Sequence, residues 1–219
     1  MPNIPRDSLR FPGGRMQLLP IKRAILSVTD KTGLVPFAKF LADNGVSLVS
    51  TGGTLATLAN AGIAVTQVSA VTGFPEIMGG RVKTLHPLIH GGILADKSDP
   101  AHMEALATHK IEAFDMVCVN LYAFARAVEK GLDLQRAVEE IDIGGPCMLR
   151  AAAKNFHSIL VVPGIHYYER VRHDLEMNGM KASLPLRREL AAATFAATSA
   201  YDGMIAGYLG QEEKCSAAL

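Results

Sequence analysis

Ser47-Leu48-Val49-Ser50-Thr51-Gly52-Gly53-Thr54-Leu55 is the stretch whose reading decides the fold. It begins as a short apolar run of strand length and ends by opening a helix through Leu55, Leu58 and Ala59, which stops at Gly62. A polar turn with two glycines joins them. The same order precedes it. Ala24-Ile25-Leu26-Ser27-Val28 reads as a strand, Thr29-Asp30-Lys31-Thr32-Gly33 as a polar turn, and Leu34, Phe37, Ala38 and Leu41 recur at helical spacing up to Asn44-Gly45. Ala64 to Val68 reads as a third strand. Strands alternating with helices predict an α/β fold, a parallel sheet flanked by helices on both faces.

Further along, His90-Gly91-Gly92-Ile93-Leu94 reads as a glycine-rich strand, with Ile93-Leu94-Ala95 as its core. Pro100 to about Lys110 reads as a helix, and Phe114 to Asn120 as the clearest buried strand. Helices are predicted over Tyr122 to Lys130 and Leu134 to Glu140, split by Gly131. Asp142-Ile143-Gly144-Gly145-Pro146 reads as a sharp break before a helix over Met148 to Asn155. Ser158 to Val162 is a last strand, His166 to Asn178 a helix, and Leu186 to Leu209 one long helix or two, with Leu186, Leu190, Ala193, Ala197 and Tyr201 on its inner stripe. The expected organisation is a flexible leader over 1–20, one domain over 21–210 and a tail over 211–219.

Composition excludes several classes. With 219 residues, 49% hydrophobic and 20% charged, the chain matches ordinary globular proteins. A formal net charge of +1 supplies no field for nucleic acid or an anionic membrane. No apolar run reaches the ~18 residues a membrane span needs, and the leader lacks the apolar centre of a secretory signal. Cys118, Cys147 and Cys215 form no CxxC pair, which fits a reducing cytoplasm and argues against a disulfide framework or zinc. There is no GxGxxG and no GxxxxGK[ST]. His86 and His90 are four apart, but Pro87 is expected to break any helix between them, so no metal site is expected.

The polar residues gather where a parallel sheet binds ligands, beyond the carboxyl ends of its strands. Thr51-Gly52-Gly53-Thr54 opens a helix, whose exposed amides and dipole make a phosphate cradle, with Lys31 adding a charge. The competing reading is a plain tight turn. In Gly79-Gly80-Arg81-Val82-Lys83-Thr84-Leu85-His86-Pro87, extended backbone would put Arg81 and Lys83 on one side. That suits an anionic small molecule, against the alternative of a solvated loop. Lys83, Asn120, Tyr122, Asp142 and Lys154 together offer donors, a carboxylate and amines for stabilising an oxyanion and moving a proton. Singly, Asp142 is a residue at a helix start and Lys154 a surface lysine.

The runs Ser27 to Gly33, Ser50 to Thr54, Val71-Thr72-Gly73-Phe74-Pro75-Glu76, Gly80 to Pro87, Asn120-Leu121-Tyr122, Ile141 to Pro146 and Arg150 to Asn155 resemble, in this order, the inosine-monophosphate cyclohydrolase domain. That domain is the N-terminal half of the bifunctional purine biosynthesis protein. The resemblance covers roughly Arg23 to Leu209. It implies a methylglyoxal-synthase-like fold and cyclodehydration of 5-formamidoimidazole-4-carboxamide ribonucleotide to inosine monophosphate, the last step of purine synthesis. It implies no cofactor and no metal. Carried over by motif, Thr29, Asp30, Lys31, Thr51, Gly52, Gly53, Thr54, Arg81, Thr84, Asn120 and Ile143 bind substrate, and Lys83, Tyr122, Asp142 and Lys154 form the catalytic set. The partners implied are the purine ribonucleotide, a second copy of the chain as a homodimer, and either a formyltransferase domain or a separate formyltransferase. A cytoplasmic location is expected, and no formyltransferase activity from this chain.

Two residues depart from the family pattern. Ala123 replaces a usual proline after Tyr122, and Cys147 a usual threonine or serine. Two other readings keep the fold: a lyase acting on a triose phosphate, and a non-catalytic nucleotide-binding module. Methylglyoxal formation from dihydroxyacetone phosphate would mark the first. Binding without turnover would mark the second.

Overall fold

The apolar runs around Ile25, Val49 and Val117 are buried on both faces, and only a sheet covered by helices on both sides offers two apolar surroundings. The structure is a computed structural model and describes residues 17–121 and 123–210. In chain order the elements are β1 (Leu18–Pro20), β2 (Arg23–Ser27), α1 (Leu34–Asp43), β3 (Ser47–Ser50), α2 (Gly52–Asn60), β4 (Thr66–Gln67), α3 (Val68–Thr72), α4 (Pro87–Leu94), α5 (Pro100–Thr108), β5 (Met116–Val119), α6 (Ala123–Glu129), α7 (Leu134–Glu139), α8 (Gly144–Lys154), β6 (Leu160–Val162), α9 (Tyr168–Met177), β7 (Lys181–Ser183) and α10 (Leu184–Leu209). No helix among the described residues is long and apolar enough to cross a membrane.

The five-stranded sheet has the order β4-β3-β2-β5-β6 and is parallel throughout. Ile25 registers with Val49 on one side and Val117 on the other. Crossovers through α1 and α2 step outward from β2 in one direction, and the crossover through α8 steps outward from β5 in the other. Right-handed connections therefore place them on opposite faces. The packing agrees: α1 lies against α2 and α9, whereas α8 lies against α4 and α10. Phe37 of α1 stacks on Tyr168 of α9 with ring centroids 4.3 Å apart, a geometry worth about 0.5–1.5 kcal/mol beyond its burial. The direction of winding reverses between β2 and β5, and a crevice opens there beyond their carboxyl ends.

The opposite edge of the sheet is pinned by charge. Asp115 Oδ2 accepts from the Lys22 and Arg23 amides at 2.8 and 2.9 Å, and its other oxygen pairs with Lys97. Beside it, Asp96 accepts from Ser98 and His157. Burial works to raise the Asp96 carboxyl, but the hydrogen bonds from Ser98 and the His157 ring outweigh it and hold the group well below the usual range.

Several elements differ from the sequence reading. The segment read as a strand at His90 to Ala95 is helix α4, because Pro87 sits in the first turn, where its missing N–H is no loss. The His86 ring caps it, Nδ1 accepting from the Leu88 amide at 3.1 Å. Pro146 likewise lies within the first turn of α8, so the expected break is the helix start itself. Leu18–Pro20, assigned to the leader, pairs antiparallel with β7, and Leu19 is buried. Residues 1–16 of the leader and the tail over 211–219 lie outside the described residues. The third strand shrinks to Thr66–Gln67, with Val68 already opening α3. In α10 the buried stripe runs through Thr194 and Thr198 rather than Ala193 and Ala197. Their hydroxyls donate to the Leu190 and Phe195 carbonyls of the same helix, which makes burial tolerable.

Candidate functional site

A cavity of about 760 Å³ occupies the crevice beyond β2 and β3, walled by the Met78 to Thr84 loop and the start of α8. Its volume suits a small-molecule ligand. Among the residues expected from sequence, Thr29, Lys31, Thr51, Gly52, Gly53, Thr54, Arg81, Lys83, Thr84, Asp142 and Ile143 line it.

The floor is the turn from β3 into α2. Thr51 is extended and Gly52 has φ 54, which brings the first amides of α2 to face the crevice. Those amides have no partner within the helix. The missing side chains matter equally. A methyl on Gly52 would stand 3.9 Å from Lys83 Nζ, and one on Gly53 3.6 Å from Lys31 Nζ. Two ammonium groups from separate loops thus flank the same helix start. Neither has a carboxylate within ion-pair distance among the described residues. Amides, dipole and cations together have the chemistry that suits an anion.

The two threonine hydroxyls serve the frame instead. Thr54 Oγ1 donates to the Val28 carbonyl and accepts from the Val28 amide, each at 2.9 Å. Thr51 Oγ1 donates to Glu76 Oε1 at 2.6 Å. Asn120 and Asp30 lie behind the wall. Asn120 is buried; its Oδ1 accepts from the Thr29 and Asp30 amides at 2.8 and 3.1 Å, and its Nδ2 donates to the Asp30 carbonyl at 2.9 Å. That clamps the loop carrying Lys31. Hydrogen bonds from the Thr32 amide and hydroxyl, helped by Arg126 at 3.6 Å, lower the Asp30 carboxyl below its ordinary range.

The loop over the site is not the extended segment read from sequence. Met78, Gly79 and Gly80 all have positive φ, and Arg81 is helical, so a turn closed by the Ile77–Val82 bridge brings Arg81 and Lys83 to one cavity. Arg81 is paired with Glu139 of α7. On the far wall, a methyl on Gly144 would stand 2.6 Å from Thr84 Oγ1, and one on Gly145 2.1 Å from Asp142 Oδ2. The Gly-Gly pair is what admits both side chains. Asp142 Oδ1 accepts from the Gly145 amide at 3.0 Å, and its own amide donates to the Tyr201 hydroxyl at 2.8 Å.

The structure does not bring Lys154 to this cavity. Asp142 precedes α8 and Lys154 ends it, about 15 Å further along at 1.5 Å per residue. Lys154 lines a second cavity of about 730 Å³ with His86, His90, Cys147, Arg150 and Phe195. Burial lowers the His90 imidazole and favours its neutral form. Tyr122 lies outside the described residues. No group of three or more metal-ligating side chains occurs among the described residues. Cys118 is buried in the sheet, which pushes its thiol up to about 12 despite a contact with the Tyr168 hydroxyl. Sequence reasoning missed Met78, Glu139 and Glu140, which line the cavity and stood in no quoted motif, and it gave no role to Glu76, which holds the lining residue Thr51.

Comparison with known proteins gives a consistent picture. The model of the MGS-like domain matches residues 33–147, and that of the AICARFT/IMPCHase bienzyme residues 152–219. The chain is 52% identical over 198 residues to the bifunctional purine biosynthesis protein PurH of Rhodospirillum rubrum, covering 89% of this chain and 38% of that one. It is 58% identical over 194 residues to PurH of Lacticaseibacillus paracasei, covering 88% and 37%. The chain therefore spans less than two fifths of the length of these curated relatives. The crystal structure of ForH superposes with a TM-score of 0.76 at 32% identity, over 87% of this chain and all of that one.

Proposed function

Because the chain belongs to the MGS-like domain family, and carries beyond that domain the AICARFT/IMPCHase bienzyme match, we propose that it closes the second ring of a purine. The reaction is cyclodehydration of 5-formamidoimidazole-4-carboxamide ribonucleotide to inosine monophosphate. The observation that carries this reading is the placement of the Lys31 and Lys83 ammonium groups against Gly53 and Gly52 at one helix start, with the Asp142 carboxylate lining the same cavity.

The 5′-phosphate sits on the first amides of α2 with Lys31 beside it. Lys83 then reaches the base end, where the chemistry occurs. A carboxamide nitrogen is a poor nucleophile because its lone pair is delocalised into the carbonyl. It attacks the formyl carbon as it loses a proton, and negative charge grows on the formyl oxygen. Lys83 stabilises that oxygen, and Asp142 takes the proton. The proton taken by Asp142 passes to that oxygen and gives a carbinolamine; its hydroxyl then takes a second proton, lost from nitrogen, and leaves as water as the C=N bond of the ring forms. Both reacting groups belong to one substrate, so holding them face to face supplies much of the rate. Lys154 has no step in this scheme, since it lies at the far end of α8.

An ultraviolet assay for inosine monophosphate formation by the purified chain tests the proposal. Steady product formation supports it. Binding of inosine monophosphate without turnover of the formamido substrate would make the chain a binding module instead.

A further inference from the structure

We propose that Glu76 is a positioning residue that couples the phosphate turn to Lys83. The inference rests on the ring-closure reading. Glu76 lies at the end of the Thr72-Gly73-Phe74-Pro75-Glu76 run, outside every assigned role. It reaches in two directions. Oε1 accepts from the Thr51 hydroxyl at 2.6 Å, and Thr51 is 3% exposed, so this bond fixes the residue that begins α2. Oε2 lies 3.6 Å from the point where a methyl on Gly80 would stand, and Lys83 Nζ lies 3.8 Å from that same point. The glycine leaves open the space into which carboxylate and ammonium converge.

A carboxylate beside an anion site opposes anion binding unless it does something else there. The hydroxyl geometry says what that is. A threonine has one proton to donate, and Thr51 gives it to Glu76. Thr51 is then unable to donate to a phosphate, and its service is to hold the turn in shape for the amides that do. The negative charge facing Gly80 attracts the Lys83 ammonium from the same side and so biases the position of the group that the ring-closure reading assigns to the developing oxyanion. One side chain thus sets the distance between the phosphate subsite and the reacting end.

These two services separate by substitution. Glu76→Ala removes both, and is expected to raise KM roughly tenfold, the worth of one hydrogen bond to a charged group, and to lower kcat as well. Glu76→Gln keeps an oxygen that accepts from Thr51 but has no charge. It is expected to restore KM to within about twofold of wild type while leaving kcat low, at roughly a tenth. Thr51→Val should raise KM as Glu76→Ala does, and the double variant should be no worse in KM than either alone. Ribose 5-phosphate affinity, measured by titration, should follow KM across the set. Wild-type KM and kcat in Glu76→Ala would overturn the proposal, as would a Glu76→Gln enzyme with KM left high or kcat fully restored. Should the wild-type chain show no turnover, the ring-closure reading falls, and the ribose 5-phosphate titrations still decide the link between Glu76 and Thr51.

Discussion

The Asp142 carboxylate rests on the α-carbon of Gly145, in space that any other residue would fill. A methyl there would stand 2.1 Å from Oδ2, 3.0 Å from Cγ and 3.1 Å from the Val119 side chain. Gly145 has no positive φ, so its requirement is one of room and not of backbone freedom. Gly145→Ala is therefore expected to swing Asp142 out of the cavity. Turnover should fall by at least the roughly hundredfold lower bound for losing a positioned acid–base group, with the fold retained by circular dichroism. An alanine variant with wild-type turnover would show that Asp142 is not the proton acceptor.

Lys31 and Lys83 approach the same helix start from different loops, and kinetics should tell them apart. Phosphate binding is shared by ground and transition states, so Lys31→Ala should raise KM more than it lowers kcat. A donor to a developing oxyanion acts in the transition state, and removing one costs about 2.7–4 kcal/mol, or roughly a hundred- to thousandfold in kcat. Lys83→Ala should show that loss while binding inosine monophosphate within roughly tenfold of wild type, or about 1.4 kcal/mol. Lys83→Arg should recover little, since a planar guanidinium does not replace a compact ammonium at one point. Normal kcat in Lys83→Ala would remove the oxyanion role.

At the other edge of the sheet, Asp96 ties the end of α4 to His157 and Ser158. A carboxyl held below its unfolded pKa adds stability above that unfolded value and loses it as pH falls through the folded one. Asp96 is depressed in this way, by Ser98 and His157 against the opposing effect of burial. Its contribution is thus complete at neutral pH and fades below the ordinary Asp value of about 3.9. Asp96→Asn should destabilise the protein at pH 7 by about 1–3 kcal/mol. Urea unfolding at pH 7, pH 3 and pH 2 should show the gap between the two proteins beginning to narrow at pH 3 and narrowing further at pH 2. A gap that is constant with pH would mean that the carboxylate charge is not what the site uses.

The sheet was legible because its strands are short apolar runs buried on both faces, and the turn from β3 into α2 because Gly52-Gly53 stands between a strand and a helix. What misled was proline. Pro87 and Pro146 look like breaks in a linear reading, yet each sits in a first turn, where no amide hydrogen bond is lost. The loop at Met78 to Gly80 was hidden for another reason. Its three positive φ angles include one on Met78, and nothing in that residue type announces it. The distance between Asp142 and Lys154 was implicit in the helix spacing of the residues between them. Their chemistry and the family resemblance put them in one set, whereas in this chain they line different cavities. Glu76 was in view as part of a motif, but only the fold brings it to Thr51, twenty-five positions away.

Glycine also offers a prediction free of the active site. Gly203 and Gly207 lie in the interior of α10 with ordinary negative φ, and a methyl on either would meet nothing within 4 Å. Both are exposed. No neighbour needs their bareness, unlike that of Gly144 and Gly145. The remaining consequence of glycine is entropic: a flexible backbone is harder to order into a helix, by about 0.5–1 kcal/mol relative to alanine. Gly203→Ala and Gly207→Ala should each stabilise the protein by about that amount, raising Tm by roughly 1–4 °C for a chain of this size. Neither methyl meets a neighbour within 4 Å, so the two gains should be close to additive although the positions share a face of the helix, and kinetic constants should not move. A fall in Tm for either variant would mean that this face of α10 is covered by something a methyl displaces, and a thermal melt of the two single variants decides it.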